Sequence, residues 1–199
     1  MGDSLVSFQN LPMPELTFYS MSFHGELLQR GFWLYVWDIR TGMERYLYVG
    51  RTGDSSSPNA ASPFQRIGQH LDSRDNAKGN SLARQLKAVP VDPLACSFDM
   101  IAGGPLFPEQ ETLEAHKPFR DRVGALEEAL AQRLRDRGYN VIGTHSSSQT
   151  PEPELWQEVC RIVDGKFPDS RKSQPVAAAD GGRDAGFSEY AMLPCGRRC

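Results

Sequence analysis

The sequence predicts an α+β domain: a small three-stranded antiparallel sheet flanked by helices, followed by a disordered C-terminal tail. Three observations carry that expectation. Two aromatic-rich segments, Phe32–Ile39 and Arg45–Val49, send side chains to alternate faces around a Thr41-Gly42 turn signal, as hairpin strands do. After Pro63 and again after Pro108 the pattern changes to the longer period of amphipathic helices. From about Ser170 onward Ala, Gly, Asp and Arg dominate, and so few apolar anchors bury too little surface to order a chain.

At 199 residues the chain suits one domain with a tail, large enough to build a core without disulfides. Residues 1–30 read as a lead-in: Pro12 and Pro14 interrupt any period, Leu16 to Phe23 reads as a strand, and His24 to Arg30 as a short amphipathic helix ended by Gly31. Residues 31–148 form the domain proper. In its first strand Phe32, Leu34 and Val36 face one way, and Trp33, Tyr35 and Trp37 the other. In the second, Leu47 and Val49 oppose Tyr46 and Tyr48. A two-residue turn at Thr41-Gly42 sets Tyr35 opposite Tyr48 and Trp37 opposite Tyr46, whereas a bulged turn with Gly42 left-handed shifts the register by one. With either turn the tyrosines are expected on a common face.

Gly50 to Ser62 is a polar loop, and Pro63 suits the first turn of a helix running to about Leu71. Asn80 and Ser81 offer a cap for a second helix through Lys87. Ala95 to Ala102 is the third expected strand, closed by Gly103-Gly104-Pro105. Val123 to Arg137 carries the clearest helical period, with Val123, Leu126, Leu130 and Leu134 on one stripe. Gly138 stops that helix, and Tyr139 to Ile142 begins a short extended segment. Residues 149–168 hold one more amphipathic helix, Pro151 to Phe167, in which Trp156 joins Leu155, Val159 and Ile162 as packing. Residues 169–199 are the tail.

A formal net charge of -3 argues against a broad, sequence-indifferent coat for nucleic acid. The basic residues nevertheless concentrate from Arg40 to Lys87, where eight of them face four acidic ones. Cys96, Cys160, Cys195 and Cys199 show no paired zinc spacing and read as reduced thiols. No apolar stretch reaches membrane-spanning length, so a soluble, cytoplasmic protein with no membrane partner is expected. Nothing in the pattern specifies an oligomeric state.

The chemistry concentrates on the hairpin and the helix after it. Tyr35 and Tyr48 share a face, and Arg66 and His70 fall one helical turn apart. A phenol has an ordinary pKa of about 10 and becomes a base only beside cations. An arginine fork suits a phosphate, and a histidine one turn away would relay a proton or bind a tyrosine. The set describes a place where a phosphate is held and attacked. His116 and His145 have no ligand partners at a useful spacing and read as incidental.

In order and spacing these residues resemble the GIY-YIG nuclease superfamily. Trp33-Leu34-Tyr35 stands for the first signature and Tyr48-Val49-Gly50-Arg51 for the second. Arg66 and His70 follow on a helix, then an acidic residue in Leu126-Glu127-Glu128, then Asn140 in Gly138-Tyr139-Asn140-Val141. The likeness covers roughly Phe32 to Ile142 and departs at Trp33, where the signature opens with glycine. Its arginine-to-histidine spacing looks more like the restriction-enzyme branch than the excision-repair branch.

The resemblance implies a metal-dependent endonuclease that hydrolyses DNA phosphodiester bonds. It implies that Tyr35 or Tyr48 deprotonates the water with His70 in support, that Arg51 and Arg66 hold phosphate, and that Asn140 orients backbone or phosphate. A glutamate would bind Mg²⁺ or Mn²⁺. By the helical step Glu127 lies near the edge of the apolar stripe and is the expected ligand, while Glu128, pointing nearly opposite, has the more family-like separation from Asn140. The alternatives are a catalytically inactive nucleic-acid-binding domain with the same fold, or a nuclease subunit of a larger complex.

Overall fold

The computed structural model describes residues 16–172 except 55, 56 and 75. Its centre is a hairpin of β1 (Phe32–Arg40) and β2 (Arg45–Arg51), joined by the four residues Thr41 to Glu44. The expected two-residue turn is therefore corrected. Threonine tolerates positive φ poorly, and here its Oγ1 instead accepts from the Glu44 N–H at 2.9 Å and the Met43 N–H at 3.3 Å, closing a wider loop. Tyr35 now pairs with Gly50, Trp37 with Tyr48, and Ile39 with Tyr46. The register moves by two residues, an even number, so both tyrosines keep their common face.

The sheet has four strands in the order β3-β1-β2-β4, not three antiparallel ones. β3 (Ser97–Phe107) pairs antiparallel with β1, and β4 (Val141–Ile142) pairs parallel with β2. β4 is two residues long and is seeded by the Leu47 N–H donating to the Asn140 carbonyl at 2.8 Å. Two residues carry no alternation to read, which is why the segment shows in the sequence only as something extended. β3 continues through Gly103-Gly104-Pro105 where a stop was expected. Gly104 leaves room for the Trp33 ring, since a Cβ there would fall 2.8 Å from Trp33 Cδ2.

Helices cover both faces. Leu34, Val36, Leu47 and Val49 pack against Leu126, Leu130 and Leu134 of α3 (Leu113–Asp136) and Val159 and Val163 of α4 (Pro153–Lys166). On the other face Tyr35, Trp37, Ile39, Tyr46 and Tyr48 meet Leu82 and Leu86 of α2 (Ser81–Ala88), with Ile67 of α1 (Pro63–His70) beside them. Each fully buried leucine of these stripes contributes about 1.5–3 kcal/mol.

α1 opens as expected, with Pro63 in its first turn and a Ser62–Gln65 capping box. α2 starts on schedule, but the Asn80 side chain donates to the Asp72 carbonyl at 3.2 Å instead of capping. α3 begins ten residues before the expected Val123, capped by Thr112, and runs through Pro118 at the loss of one helical hydrogen bond.

The lead-in differs most. Leu16 to Phe23 pairs with no strand among the described residues, and Leu16, Phe18, Tyr19 and Met21 stand exposed. The expected helix after it is a single 3₁₀ turn, Gly25–Leu28. At the other end the expected tail starts as structure: Ser170–Lys172 is a 3₁₀ turn, and Ser170 Oγ donates to the Arg137 carbonyl at 2.7 Å. Residues 173–199, with Cys195 and Cys199, lie outside the described residues, as do 1–15. Cys96 and Cys160 are free thiols. Among the described residues no helix is long and apolar enough to cross a membrane.

Candidate active site

The candidate residues meet where β1 begins and β2 ends, beside α1, α2 and α3. Gly50 starts the assembly: a Cβ there would fall 2.5 Å from Tyr35 Cε2, so the Tyr35 ring lies directly over Gly50. Tyr35 Oη then donates to the Arg51 carbonyl at 3.1 Å and lies 2.6 Å from His70 Nε2. On the far side of the imidazole, Nδ1 is 2.9 Å from Ser81 Oγ, and Tyr48 Oη donates to that same oxygen at 3.0 Å. Tyr35 and Tyr48 also meet the His70 ring edge-on, at 5.7 and 5.5 Å between centroids.

This group is buried and electrically neutral. Tyr35 and His70 are each 1% exposed, and Tyr48 8%. Burial, helped by the Arg66 cation, pushes the His70 imidazolium down to about 3, so the ring is neutral at ordinary pH. Burial also pushes both phenols up, strongly for Tyr35, and outweighs the opposing pull of Arg66. The cation expected to activate a tyrosine acts in the right direction, but desolvation is the larger effect.

A charged group lies beside it. Arg66 Nη2 donates to Asp54 Oδ2 at 3.1 Å and Nη1 to Gln69 Oε1 at 3.0 Å, while the buried Nε makes no well-formed hydrogen bond and the guanidinium acts directly on Tyr35. Arg51 Nε lies 3.0 Å from Glu127 Oε2, an ion pair whose angle makes no hydrogen bond. The same guanidinium donates through Nη1 to the Arg120 carbonyl, in space left open by Gly124, where a Cβ would collide with it. Burial, with Asp54 adding repulsion, raises the Glu127 carboxyl to about 7 against the attraction of Arg51 and Arg66. The charge of Glu127 thus acts on Asp54, Arg66 and Tyr48, whereas that of Glu128 acts on His145.

Two residues that looked incidental fix the frame. His116 is fully buried, and its Nε2–H donates to the Gly53 carbonyl at 2.9 Å, holding the loop that carries Asp54. Thr52 ties the same loop to β1, its Oγ1 accepting from the Trp33 N–H at 2.8 Å. His145 Nε2–H donates to the Val49 carbonyl at 2.9 Å and sets its ring 6.3 Å from that of Tyr48. Asn140 is the expected site residue that stays outside the cluster. It is exposed at the start of β4, one residue before the Leu47–Val141 pair and toward Tyr46, away from Arg51. Asp54 and Ser81 are the additions that sequence reasoning missed: one sits in a polar loop, the other was read only as a cap.

Among the described residues no three His, Cys, Asp or Glu side chains gather as a metal cluster. Glu127 and Asp54, within electrostatic reach of each other, are the acidic oxygens of the site. Compared with known proteins, the chain matches no family model, no curated protein and no solved structure.

Proposed function

We propose that the protein is a GIY-YIG-type, metal-dependent endonuclease acting on DNA phosphodiester bonds. The observation that carries this reading is convergence. Tyr35, Tyr48, Arg51, Arg66, His70 and Glu127 come from β1, β2, α1 and α3, and they bond or couple to one another at one end of the sheet. Simple packing has no need for two arginines and a buried glutamate at that place. The antiparallel β3-β1-β2 part of the sheet supports the same reading.

Hydrolysis needs an oriented water, positive charge on the phosphoryl oxygens and help for the leaving oxygen. Arg66 suits the second need: its Nε makes no well-formed hydrogen bond, and its exposed partner Asp54 is readily exchanged for a phosphate. Arg51 is committed to Glu127 and the Arg120 carbonyl, so it orients the glutamate as well as adding charge. Mg²⁺ or Mn²⁺ would be held by Glu127 with Asp54 as a second carboxylate, an oxygen set that fits either ion, and would polarise the phosphate and stabilise the leaving oxygen. One of the two tyrosines, which are joined through His70 and Ser81, orients the water.

The test is incubation with plasmid, branched and single-stranded DNA in Mg²⁺ or Mn²⁺, beside Arg66→Ala and Glu127→Ala. Cleavage is expected from the unaltered protein, falling by about 100-fold or more in each variant. Binding of DNA without cleavage of any substrate sinks the enzyme and favours an inactive nucleic-acid-binding domain. Cleavage that needs an added partner protein identifies a subunit of a larger nuclease.

A further inference from the structure

We infer that Ser81 is a positioning residue of this site: its hydroxyl carries the hydrogen-bond order that the Arg51 carbonyl imposes on Tyr35 and His70 across to Tyr48, and so sets Tyr48, not Tyr35, toward the attacking water. The inference rests on the nuclease reading for its functional half and on proton accounting for its structural half.

Four contacts run in series. They are the Arg51 carbonyl to Tyr35 Oη at 3.1 Å, Tyr35 Oη to His70 Nε2 at 2.6 Å, His70 Nδ1 to Ser81 Oγ at 2.9 Å, and Ser81 Oγ to Tyr48 Oη at 3.0 Å. Two phenols, a hydroxyl and a neutral imidazole bring one proton each. The Arg51 carbonyl has only lone pairs, so the proton in the first contact is that of Tyr35. Tyr35 Oη is then the acceptor toward His70, and Nε2 carries the ring proton. Nδ1 is left with a lone pair, which takes the Ser81 proton, and Ser81 takes that of Tyr48. Every contact holds one proton and every proton is used. The reverse order has Tyr35 donating to Nε2. It leaves Tyr35 Oη and the Arg51 carbonyl oxygen facing lone pair to lone pair, a buried arrangement that costs about 1–3 kcal/mol.

The direction of the chain separates the tyrosines. Tyr35 is fully buried, with its proton given to the main chain and its oxygen already accepting from His70. Tyr48 is the more exposed of the two, donates to Ser81 and keeps a lone pair for a water. Arg66 and Asp54 act on both phenols, whereas the Glu127 charge acts on Tyr48. Ser81 holds this order together from the first residue of α2, where Asn80 and not Ser81 occupies the cap position, so the hydroxyl is not needed to start the helix.

The experiment combines a spectrum with kinetics. In protein labelled with ¹⁵N-histidine, two-bond proton–nitrogen spectra report the tautomer of His70, assigned by its loss in His70→Asn. The Nε2–H form is expected for the unaltered protein and for both variants, with the Nδ1 resonance moved toward that of an unbonded lone pair in Ser81→Ala and left in place in Ser81→Thr, which keeps the hydroxyl. On DNA, Ser81→Ala is expected to lower kcat roughly 10- to 100-fold with KM little changed, and Ser81→Thr to restore most of it. A thermal midpoint near the unaltered value shows that the variants fold. An Nδ1–H ring in the unaltered protein overturns the inference, and so does an unchanged kcat in Ser81→Ala. If the ring is Nε2–H but no DNA is cut under any condition, the tautomer assignment survives and the nuclease reading falls.

Discussion

The two halves of the candidate site are built on opposite principles. Along Arg51 carbonyl, Tyr35, His70, Ser81 and Tyr48, order comes from short hydrogen bonds among neutral groups, each satisfied by the next. Around Arg51, Glu127, Arg66 and Asp54, order comes from paired full charges, one of which keeps a buried donor without a well-formed hydrogen bond. The neutral half is complete as it stands. The charged half holds its cations against carboxylates until something more strongly anionic arrives, which is the behaviour expected where a ligand is to be exchanged. One half gives geometry and the other gives field.

The sharpest way to separate them is acidity, because their stability contributions run in opposite directions. His70 has its folded pKa depressed from 6.5 to about 3, so the stability it contributes is present above pH 6.5 and is lost as pH falls toward 3. Glu127 has its folded pKa raised from 4.5 to about 7, so its contribution is present below pH 4.5 and is lost as pH rises through 7. Denaturant unfolding across pH 4–8 should show the first effect as several kcal/mol and the second as about 2–3 kcal/mol. His70→Asn should flatten the acid side, and Glu127→Gln the rise-of-pH side. Two variants whose profiles run parallel to that of the unaltered protein would show that neither group is held as described.

A divalent cation should act on the charged half alone. If Glu127 is its ligand, Mg²⁺ at about 100 times its dissociation constant raises unfolding stability by about 2.7 kcal/mol. The gain should be largest at pH 8, where Glu127 is ionised without help, and should vanish in Glu127→Gln. An equal gain in both proteins would place the ion elsewhere.

A third change addresses the neutral half through its backbone. Gly50→Ala drives a methyl into the Tyr35 ring, which is trapped between His70 and the main chain and has nowhere to move. A loss of about 1–3 kcal/mol in unfolding free energy is expected. An unchanged stability would mean that the Tyr35 ring is free to shift, and with it the whole hydrogen-bonded series.

Much of this was legible beforehand, for identifiable reasons. Side-chain alternation put Tyr35 and Tyr48 on one face, and because strand parity survives a shift of two, an incorrect turn did not move them to the other. The four-residue step put Arg66 and His70 together on α1, and the angle around α3 turned Glu127, not Glu128, toward Arg51 and Tyr48. Contacts between distant segments were not legible. Trp33 looked like a misfit where glycine was expected, yet the missing space is supplied by Gly104 on the neighbouring strand, a pairing that no local pattern reveals. Ser81 reaches His70 only because α1 and α2 pack side by side, and Asp54 reaches Arg66 only because Thr52 and His116 pin its loop. β4 was too short to have a period at all. Asn140, carried over by resemblance, landed beside β2 at the wrong distance along the strand.

The smallest expected effect is also the most discriminating, because it repeats the Gly50 substitution in the charged half. Gly124→Ala places a methyl against the Arg51 guanidinium, the far end of a flexible side chain rather than a locked ring. Arginine can swing away, and α3 gains up to about 1 kcal/mol of helix propensity. Stability should therefore stay within about 1 kcal/mol of the original, while the ion pair to Glu127 and the bond to the Arg120 carbonyl are lost. Glu127, without its cation, should titrate higher, moving the pH at which Mg²⁺ first stabilises the protein upward by a measurable step. The two alanines thus ask the same steric question of a neutral series and a charged pair. A large loss of stability in Gly124→Ala would show that Arg51 is as rigidly built in as Tyr35, and that the division between a finished half and an exchangeable half does not hold.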